Sequence, residues 1–516
     1  MNTSVAAPPE RFNAAAYLLS GHAARAGKPA YVDDTRRLSY GELDERVRRC
    51  AAGLVALGLR REERVLLMMR DSIDFPVAFL GALYAGIVPV PVNTLLTASD
   101  YSYIAGHSRA QAVLVSDGLL ATAREALQGA GLRLPIVVSG ETAAAGDVQA
   151  FDTLLEAAPM TQPADTGADD IGFWLYSSGS TGRPKGTVHT HANLYWTAEL
   201  YGKAVLGLRE DDIVFSAAKL FFAYGLGNAL TFPLAVGATT VLMAGRPTPA
   251  AVFQRWTRDG VTVFYGAPTG YAGMLASPEL PARTQVKLRL CSSAGEALPR
   301  DIGERFSAHY GCEIVDGLGS TEMLHVFLSN RPGDVHYGSS GRVVPGYTLR
   351  LVAESGGEAA PGEIGDLYVS GPSSALMYWG NRQKSRETFQ GEWTRTGDKY
   401  TRDAQGLYTY AGRSDDMLKV SGMYVSPFEV EATLMQHPAV LECAVIGKPD
   451  HDGLTKTKAF VVLREGQQSS EEALKAFVKD RLAPFKYPRS IEFIAELPKT
   501  ATGKIQRFRL REREAG

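Results

Sequence analysis

The sequence predicts an α/β protein: a large N-terminal domain of two wound βα sheets with a small β-rich subdomain, followed by a small α+β C-terminal domain. Three observations lead there. From Leu38 to about residue 140, helix-period segments alternate with short apolar runs, the pattern of βαβ units around a mainly parallel sheet, and the same rhythm returns later in the chain. After about residue 340 the segments become short and alternating, with Gly and Pro turns between them. Beyond "GRSDD" a helix, two strands and a second helix make a unit of about a hundred residues, large enough to be its own domain. The boundary is placed near Gly412, giving domains 1–411 and 412–516.

Each element has a local reason. "SYGELDERVRRCAAGLVALG" carries apolar residues at helical spacing, "RVLLMM" is a strand-length apolar run, "DFPVAFLGALYAG" is helical again, and "VPVPV" and "AQAVLVS" are strands. "TTVLM", "VTVFYGAP" and "LRLCSSAG" repeat the strand signal, separated by helical segments such as Ala250 to Asp259. "GYTLRLVAE", "GDLYVSG" and "GLYTYAGR" alternate as half-buried strands do. In the last unit Ser426 precedes a proline and a glutamate follows three on, a helix start running to His437. Strands at "ECAVIGKP" and "KAFVVLRE" and a helix from Glu471 to Leu482 complete it.

Composition narrows the function classes. At 516 residues the chain is too long for a single small binding module, and 45% hydrophobic with 21% charged residues is ordinary globular usage. A formal charge of −2 offers no overall basic field to recruit nucleic acid or anionic lipid. The four cysteines, Cys50, Cys291, Cys312 and Cys443, are scattered with no C-x-x-C pair, which argues against a zinc site and a disulfide framework. "MNTSVAAPPERFNAAAYLL" has no basic region followed by an apolar one, and the most apolar stretch, Val77 to Val92, is too short to span a bilayer and is broken by Pro89 and Pro91. A soluble cytoplasmic protein is expected, without nucleic-acid or membrane partners.

The densest motif is "YSSGSTGRPKG", Tyr176 to Gly186. Small residues let backbone N–H groups approach an anion, and Ser/Thr hydroxyls with Lys185 add donors and charge. The run before it is strand-like, and "TVHTHANLYWTAELYG" after it reads as the approach to a helix with Asn193 near its start. It is not a Walker A loop: Pro184 precedes Lys185 and neither Ser nor Thr follows it. A Gly/Ser stretch alone is more often a surface turn. Its company changes that reading. "DGLGSTE" (Asp316 to Glu322) ends in a Thr-Glu pair suited to phosphate and Mg²⁺, "TRTGDKY" puts Asp398 in a turn where a carboxylate accepts both hydroxyls of a ribose, and "GRSDDMLKVSGMYVSPFEVE" and "PKTATGKIQR" follow. Each alone has a plain structural explanation, but chance does not assemble all of them in this order.

Together these motifs resemble the superfamily of adenylate-forming enzymes, which includes acyl- and aryl-CoA synthetases, luciferases and peptide-synthetase adenylation domains. The resemblance covers essentially the whole chain. It implies that Ser177, Ser178, Gly179, Ser180, Thr181, Gly182 and Lys185 form a mobile wrap for the β- and γ-phosphates of ATP, poorly ordered without nucleotide. It gives Thr321 the phosphate and Glu322 the Mg²⁺, Asp398 the ribose, and Arg413 a second ribose or phosphate contact. "SSAGEALP" (Ser292 to Pro299) resembles the adenine pocket, with Gly295, Glu296 and Ala297 along the base and Asp316 near its amino group. Leu318 departs from the aromatic residue that many relatives place over the adenine, which implies weaker stacking. Lys504 is implied as the cation bridging carboxylate and α-phosphate, and the C-terminal domain as a mobile one that swings about Asp415. Lys419, Ser421 and Gly422 of "KVSGMYVS" then line the tunnel for the coenzyme A thiol.

"KLFFAYGLGNALTFPL" (Lys219 to Leu234) and "STEMLHVFLSN" resemble the benzoate-CoA ligases within that superfamily. By that match Phe222, Ala223, Tyr224, Gly319, His325 and Val326 surround the ring of a small aromatic carboxylate. His325 reads equally well as a satisfied core histidine. The small Val326 leaves methyl-, hydroxy-, amino- and fluorobenzoates open, since one methyl shifts discrimination by only about 1–3 kcal/mol. An amino-acid adenylation domain is disfavoured because "LFFAYG" holds no acidic partner for an α-amino group. A luciferase-like oxidase and an inactive nucleotide-binding protein share the fold; the aryl slot disfavours a large luciferin, and retained Lys504 and Glu322 disfavour the inactive protein. His189 and His191 of "VHTHAN" lack the further ligands a zinc site needs.

Overall fold

Val-, Leu- and Ile-rich runs form the first wound unit, a five-stranded parallel sheet in the order Val88–Pro91, Arg64–Met68, Ala110–Ser116, Ile136–Ser139, Val148–Ala150. The computed structural model describes residues 5–140, 148–177, 183–414, 416–420, 423–449, 455–482, 486–499 and 505–515, with the backbone alone at 419, 423, 424, 449, 455 and 515. The strands read as unbroken apolar runs because helices cover both faces of a parallel sheet. Helix Tyr40–Ala56 starts from a capping box of Ser39 and Glu42 and packs on Asp74–Tyr84, every residue of which is buried. The prolines of "VPVPV" are tolerated because Val88–Pro91 lies at the edge of its sheet, where a missing N–H costs no ladder bond on the open side.

The second sheet has nine strands, in the order Arg342–Val343, Val326–Ser329, Ile314–Gly319, Leu290–Ala294, Val263–Gly266, Ile213–Ser216, Thr239–Val241, Pro29–Val32, Arg37–Ser39. Its centre, from Ile314–Gly319 to Pro29–Val32, is parallel and its flanks are antiparallel. The hairpin Pro29–Val32/Arg37–Ser39, next to the first unit in sequence, pairs with Thr239–Val241 in the second sheet. Local patterning cannot show a pairing partner about 200 residues away.

The β-rich subdomain is the antiparallel set Thr348–Val352, Gly365–Ser370, Trp393–Arg402 and Phe389–Gln390, with Tyr408–Arg413 also on Trp393–Arg402. That last strand runs through the 411/412 boundary, so the break between the parts is proposed to follow Arg413. Beyond it come a hairpin, Leu418–Val420 with Met423–Val425, and the sheet Val440–Pro449, Thr455–Leu463, Ser490–Phe493. Helices Pro427–Leu434, Glu471–Lys479 and Arg507–Ala515 accompany that sheet. Arg507 clamps the buried Glu431 carboxylate at 2.6 and 2.8 Å, which ties the last helix to the first of this unit. Among the described residues no helix is long and apolar enough to cross a membrane.

Candidate functional site

The phosphate-loop motif is held by a β-hairpin. Ile171–Ser177 pairs antiparallel with Lys185–Thr190, Ser177 facing Lys185, and Met377–Tyr378 adds a third strand with Tyr378 opposite Thr187. The residues after the loop, read as the approach to a helix with Asn193 near its start, form a strand first, and helix His191–Thr197 follows with Asn193 in its first turn. All four "TVHT" side chains are buried, and strands on both sides take up the backbone hydrogen bonds, which favours the strand. Ser178, Gly179, Ser180, Thr181 and Gly182, with the expectation about their order, lie outside the described residues. At the mouth, the buried Ser177 hydroxyl has no hydrogen-bond partner among the described residues. The Lys185 ammonium lies 4.4 Å from the centre of the Tyr378 ring and 3.4 Å from its hydroxyl, and burial lowers its pKa.

Opposite stand the carboxyl ends of two central strands, Leu290–Ala294 and Ile314–Gly319, paired with Ser293 beside Asp316. Open α/β sheets bind ligands at such ends. Gly295 is exposed with φ of 96°, and Glu296 and Ala297 are half-buried beside it, the Glu296 carboxylate accepting from the Thr269 hydroxyl at 3.0 Å. Asp316 is buried, its Oδ1 has no hydrogen-bond partner among the described residues, and burial raises its carboxyl to about 8. The chain then turns sharply. Ser320 Oγ accepts from Met323 N at 3.2 Å, and Leu324 takes a left-handed φ of 65°, which costs an L-residue on the order of 1–3 kcal/mol. That turn presents Thr321 and Glu322 on one side and His325 on the other.

Two side chains remote in sequence hold the turn. The Tyr378 hydroxyl donates to Glu322 Oε1 at 2.5 Å. His189 Nε2 donates to the Thr321 carbonyl at 2.9 Å while its Nδ1 accepts from Asn193 Nδ2 at 2.8 Å, which assigns the tautomer. Burial pushes His189 down to about 3, so it stays neutral. His191 Nδ1 accepts from the Ala14 amide at 3.2 Å. Both histidines of "VHTHAN" therefore serve the backbone.

Asp398 does not sit in a turn, as its flanking residues suggested. It lies inside the strand Trp393–Arg402, where Gly397 takes a φ of 77° and the pairing register shifts just after Lys399. The glycine supplies the local bend without ending the strand. Arg413, opposite Asp398 in the neighbouring strand, donates to its Oδ1 at 3.0 Å.

The aryl residues collect around His325. Phe222, Ala223 and Tyr224 are half-buried at the start of a helical run that is buried beyond them and passes through a π-helical turn, Gly227–Thr231. π-Turns of this kind are frequent at functional sites. The His325 ring lies 5.4 Å from Tyr224, 5.3 Å from Tyr201 and 4.5 Å from Phe232, centre to centre. Its Nε2 points to the Tyr224 carbonyl at 3.3 Å, its Nδ1 is buried without a partner among the described residues, and burial lowers its pKa to about 3. Gly319 pairs with Val326, and a Cβ there would come within 2.7 Å of the His325 carbonyl oxygen. Leu318, half-buried, packs among apolar residues.

Lys504, Asp415, Ser421 and Gly422 lie outside the described residues. Lys419 is described by its backbone alone, in the strand Leu418–Val420.

The AMP-binding enzyme family matches residues 20–379, and the AMP-binding enzyme C-terminal domain matches residues 429–504. The chain belongs to the AMP-binding enzyme family. Among relatives of this adenylate-forming superfamily, the benzoate-CoA ligase of Thauera aromatica is 56% identical over 98% of this chain and 96% of its own. A benzoate CoA ligase crystal structure from Burkholderia xenovorans LB400 is 62% identical, with a TM-score of 0.91 over 97% of this chain and 100% of that one. An anthranilate CoA ligase in complex with anthranoyl-AMP is 43% identical, with a TM-score of 0.93 over 98% of each chain.

For an AMP-binding enzyme the donor set suits the expected ion. Glu322 and Thr321 offer hard oxygens, and Mg²⁺ is bound through one or two carboxylates plus substrate phosphates. Tyr378, His189 and Asn193 were missed by sequence reasoning. A lone tyrosine in "ALMYWGN" carries no signal of its own, and only the pairing of Met377–Tyr378 with Lys185–Thr190 brings it to Lys185 and Glu322.

Proposed function

We propose that this AMP-binding enzyme is a benzoate-CoA ligase, converting benzoate, ATP and CoA to benzoyl-CoA, AMP and pyrophosphate through benzoyl-adenylate. The observation that carries this reading is the turn Thr321–His325, which joins the pair expected on phosphate and Mg²⁺ to a cluster of aromatic rings within one short stretch. A benzoate carboxylate at that junction reaches the α-phosphate while its ring lies among Phe222, Ala223, Tyr224, Gly319, His325 and Val326. In the first step a carboxylate oxygen attacks the α-phosphorus, the bond to the bridging oxygen of the β-phosphate breaks, and pyrophosphate leaves. In the second, the CoA sulfur attacks the acyl carbon, loses its proton, and AMP departs.

Charge develops on phosphoryl oxygens, so the protein contributes positioning and electrostatics. Ser177 through Gly182 and Lys185 hold the β- and γ-phosphates, Gly295, Glu296, Ala297 and Asp316 the adenine, and Asp398 with Arg413 the ribose. Glu322 would hold Mg²⁺, which when bound would supply positive charge beside the phosphates that leave as pyrophosphate. Lys504 supplies the cation of the first step, rotation about Asp415 removes it, and Lys419, Ser421 and Gly422 guide the thiol. ATP and CoA are cytoplasmic metabolites, which supports a cytoplasmic location.

His325 Nδ1, without a partner among the described residues, favours a second reading, in which the substrate carries a ring hydroxyl or amino group that donates to it. A panel of aromatic acids incubated with ATP, Mg²⁺ and CoA and scored by AMP release tests both. Benzoate is expected to yield equimolar AMP and benzoyl-CoA. Absence of AMP with every acid overturns the ligase reading, and a preference for a hydroxy- or aminobenzoate selects the second.

A further inference from the structure

We propose that Tyr378 is a positioning residue that joins Lys185 to Glu322 and presents a single carboxylate oxygen of Glu322 to the metal. The direction of the hydrogen bonds is settled by chemistry. An ammonium only donates, so the phenol oxygen accepts from Lys185 at 3.4 Å, and the phenol proton goes to Glu322 Oε1 at 2.5 Å. The relay therefore runs from the residue expected on phosphate to the residue expected on Mg²⁺.

Tyr378 is built to hold that position. It is 3% exposed, its amide donates to Ser385 Oγ at 3.0 Å, its strand pairs with Lys185–Thr190, and its ring lies 5.3 Å from that of Phe389. The Glu322 backbone is fixed as well, its carbonyl accepting from the Ala375 amide at 2.8 Å. When nucleotide phosphates draw on Lys185, the phenol keeps Oε1 and leaves Oε2 for the ion. One-oxygen presentation suits Mg²⁺, which demands near-octahedral geometry, whereas Ca²⁺ accepts two-oxygen carboxylates. Partners that orient a metal ligand are worth about 10–100-fold in metal affinity or activity.

This inference rests on the ligase reading only for the presence of an ATP site, so it is tested by equilibrium binding without any acid. Calorimetric titration of ATP in Mg²⁺ and in EDTA gives the tightening due to the metal. Tyr378→Phe, which keeps the ring, should lose about tenfold or more of that tightening. AMP binding and the melting temperature should stay near the parent values. Tyr378→His, which retains an N–H donor on a ring, should keep more of the effect. In a Glu322→Gln background, Tyr378→Phe should change nothing further. Unchanged metal-dependent tightening in Tyr378→Phe, or equal loss in the Phe and His variants, overturns the proposal. Failure of the parent to form AMP with any acid would instead remove the ligase reading and leave this one standing.

Discussion

The two halves of the site are built on opposite electrostatic terms. On the side proposed for the nucleotide, Lys185, Glu322, Asp398 and Arg413 meet through direct hydrogen bonds or through Tyr378. On the aryl side, Tyr201, Tyr224, Phe232 and His325 are packed ring to ring, and burial holds the histidine neutral. The difference follows the ligand. Phosphates need fixed charges and donors whose orientation is settled beforehand, whereas a benzene ring gains from apolar contact and loses if a charge is buried beside it unpaired. In the proposed ligase the carboxylate of the acid belongs at the seam, beside Thr321.

If the halves are separable, substitutions on one should leave the other's ligand untouched. The largest effect is expected at Lys504. Lys504→Ala should slow benzoyl-adenylate formation about 10²–10³-fold, the range for losing an oxyanion donor, while thioester formation from supplied benzoyl-adenylate is spared. Pyrophosphate exchange and single-turnover thioester formation separate the two, and equal loss in both would count against alternation about Asp415. Next is Gly319→Ala. Its Cβ would crowd backbone, at 2.7 Å from the His325 carbonyl, so kcat/KM for benzoate should fall about 10–100-fold, or about 1–3 kcal/mol, with the AMP dissociation constant within about twofold. Matched losses in AMP affinity would break the comparison.

Asp398→Asn should cost ATP binding about tenfold, because hydrogen bonds to charged groups are worth about 1.5–3 kcal/mol, with no change in preference among ring-substituted benzoates. The remaining expectations concern pH. The Asp316 carboxyl is raised by burial from its ordinary 3.8 to about 8 in the folded protein, so the folded state binds the proton more tightly than the unfolded one. The cost of ionising it is absent below about pH 4, grows as pH rises, and is complete above about 8. Asp316→Asn removes that cost, so its melting temperature relative to the parent should climb from pH 5 to pH 9. A pH-independent difference would show that Asp316 does not titrate as its burial dictates. His189 and His325, both held near 3, should leave no inflection between pH 6 and 8 in kcat/KM for benzoate.

Motif residues were legible because their chemistry is local. A Thr-Glu pair after two glycines, or an Asp two residues before a Tyr, needs no partner to be noticed. Their settings were less so. Asp398 reads as a turn residue because Gly397 precedes it, yet the strand continues through, since pairing with Tyr408–Arg413 outweighs the glycine. The residues after the phosphate loop read as a helix approach, yet they form a strand, because Ile171–Ser177 and Met377–Tyr378 flank them on both sides.

By itself the sequence determined the two wound units, the β-rich insert and the α+β end, and it picked out the residues proposed to meet phosphate, ribose and ring, because periodicity, turn chemistry and short motifs are properties of neighbouring residues. Only the tertiary structure decided that Pro29–Val32 joins the far sheet, that His189 and Asn193 brace Thr321, and that Tyr378 stands between Lys185 and Glu322. Those are long-range pairings, set by which backbone and side-chain groups find partners when the sheets close, and nothing in a residue's own neighbourhood encodes them.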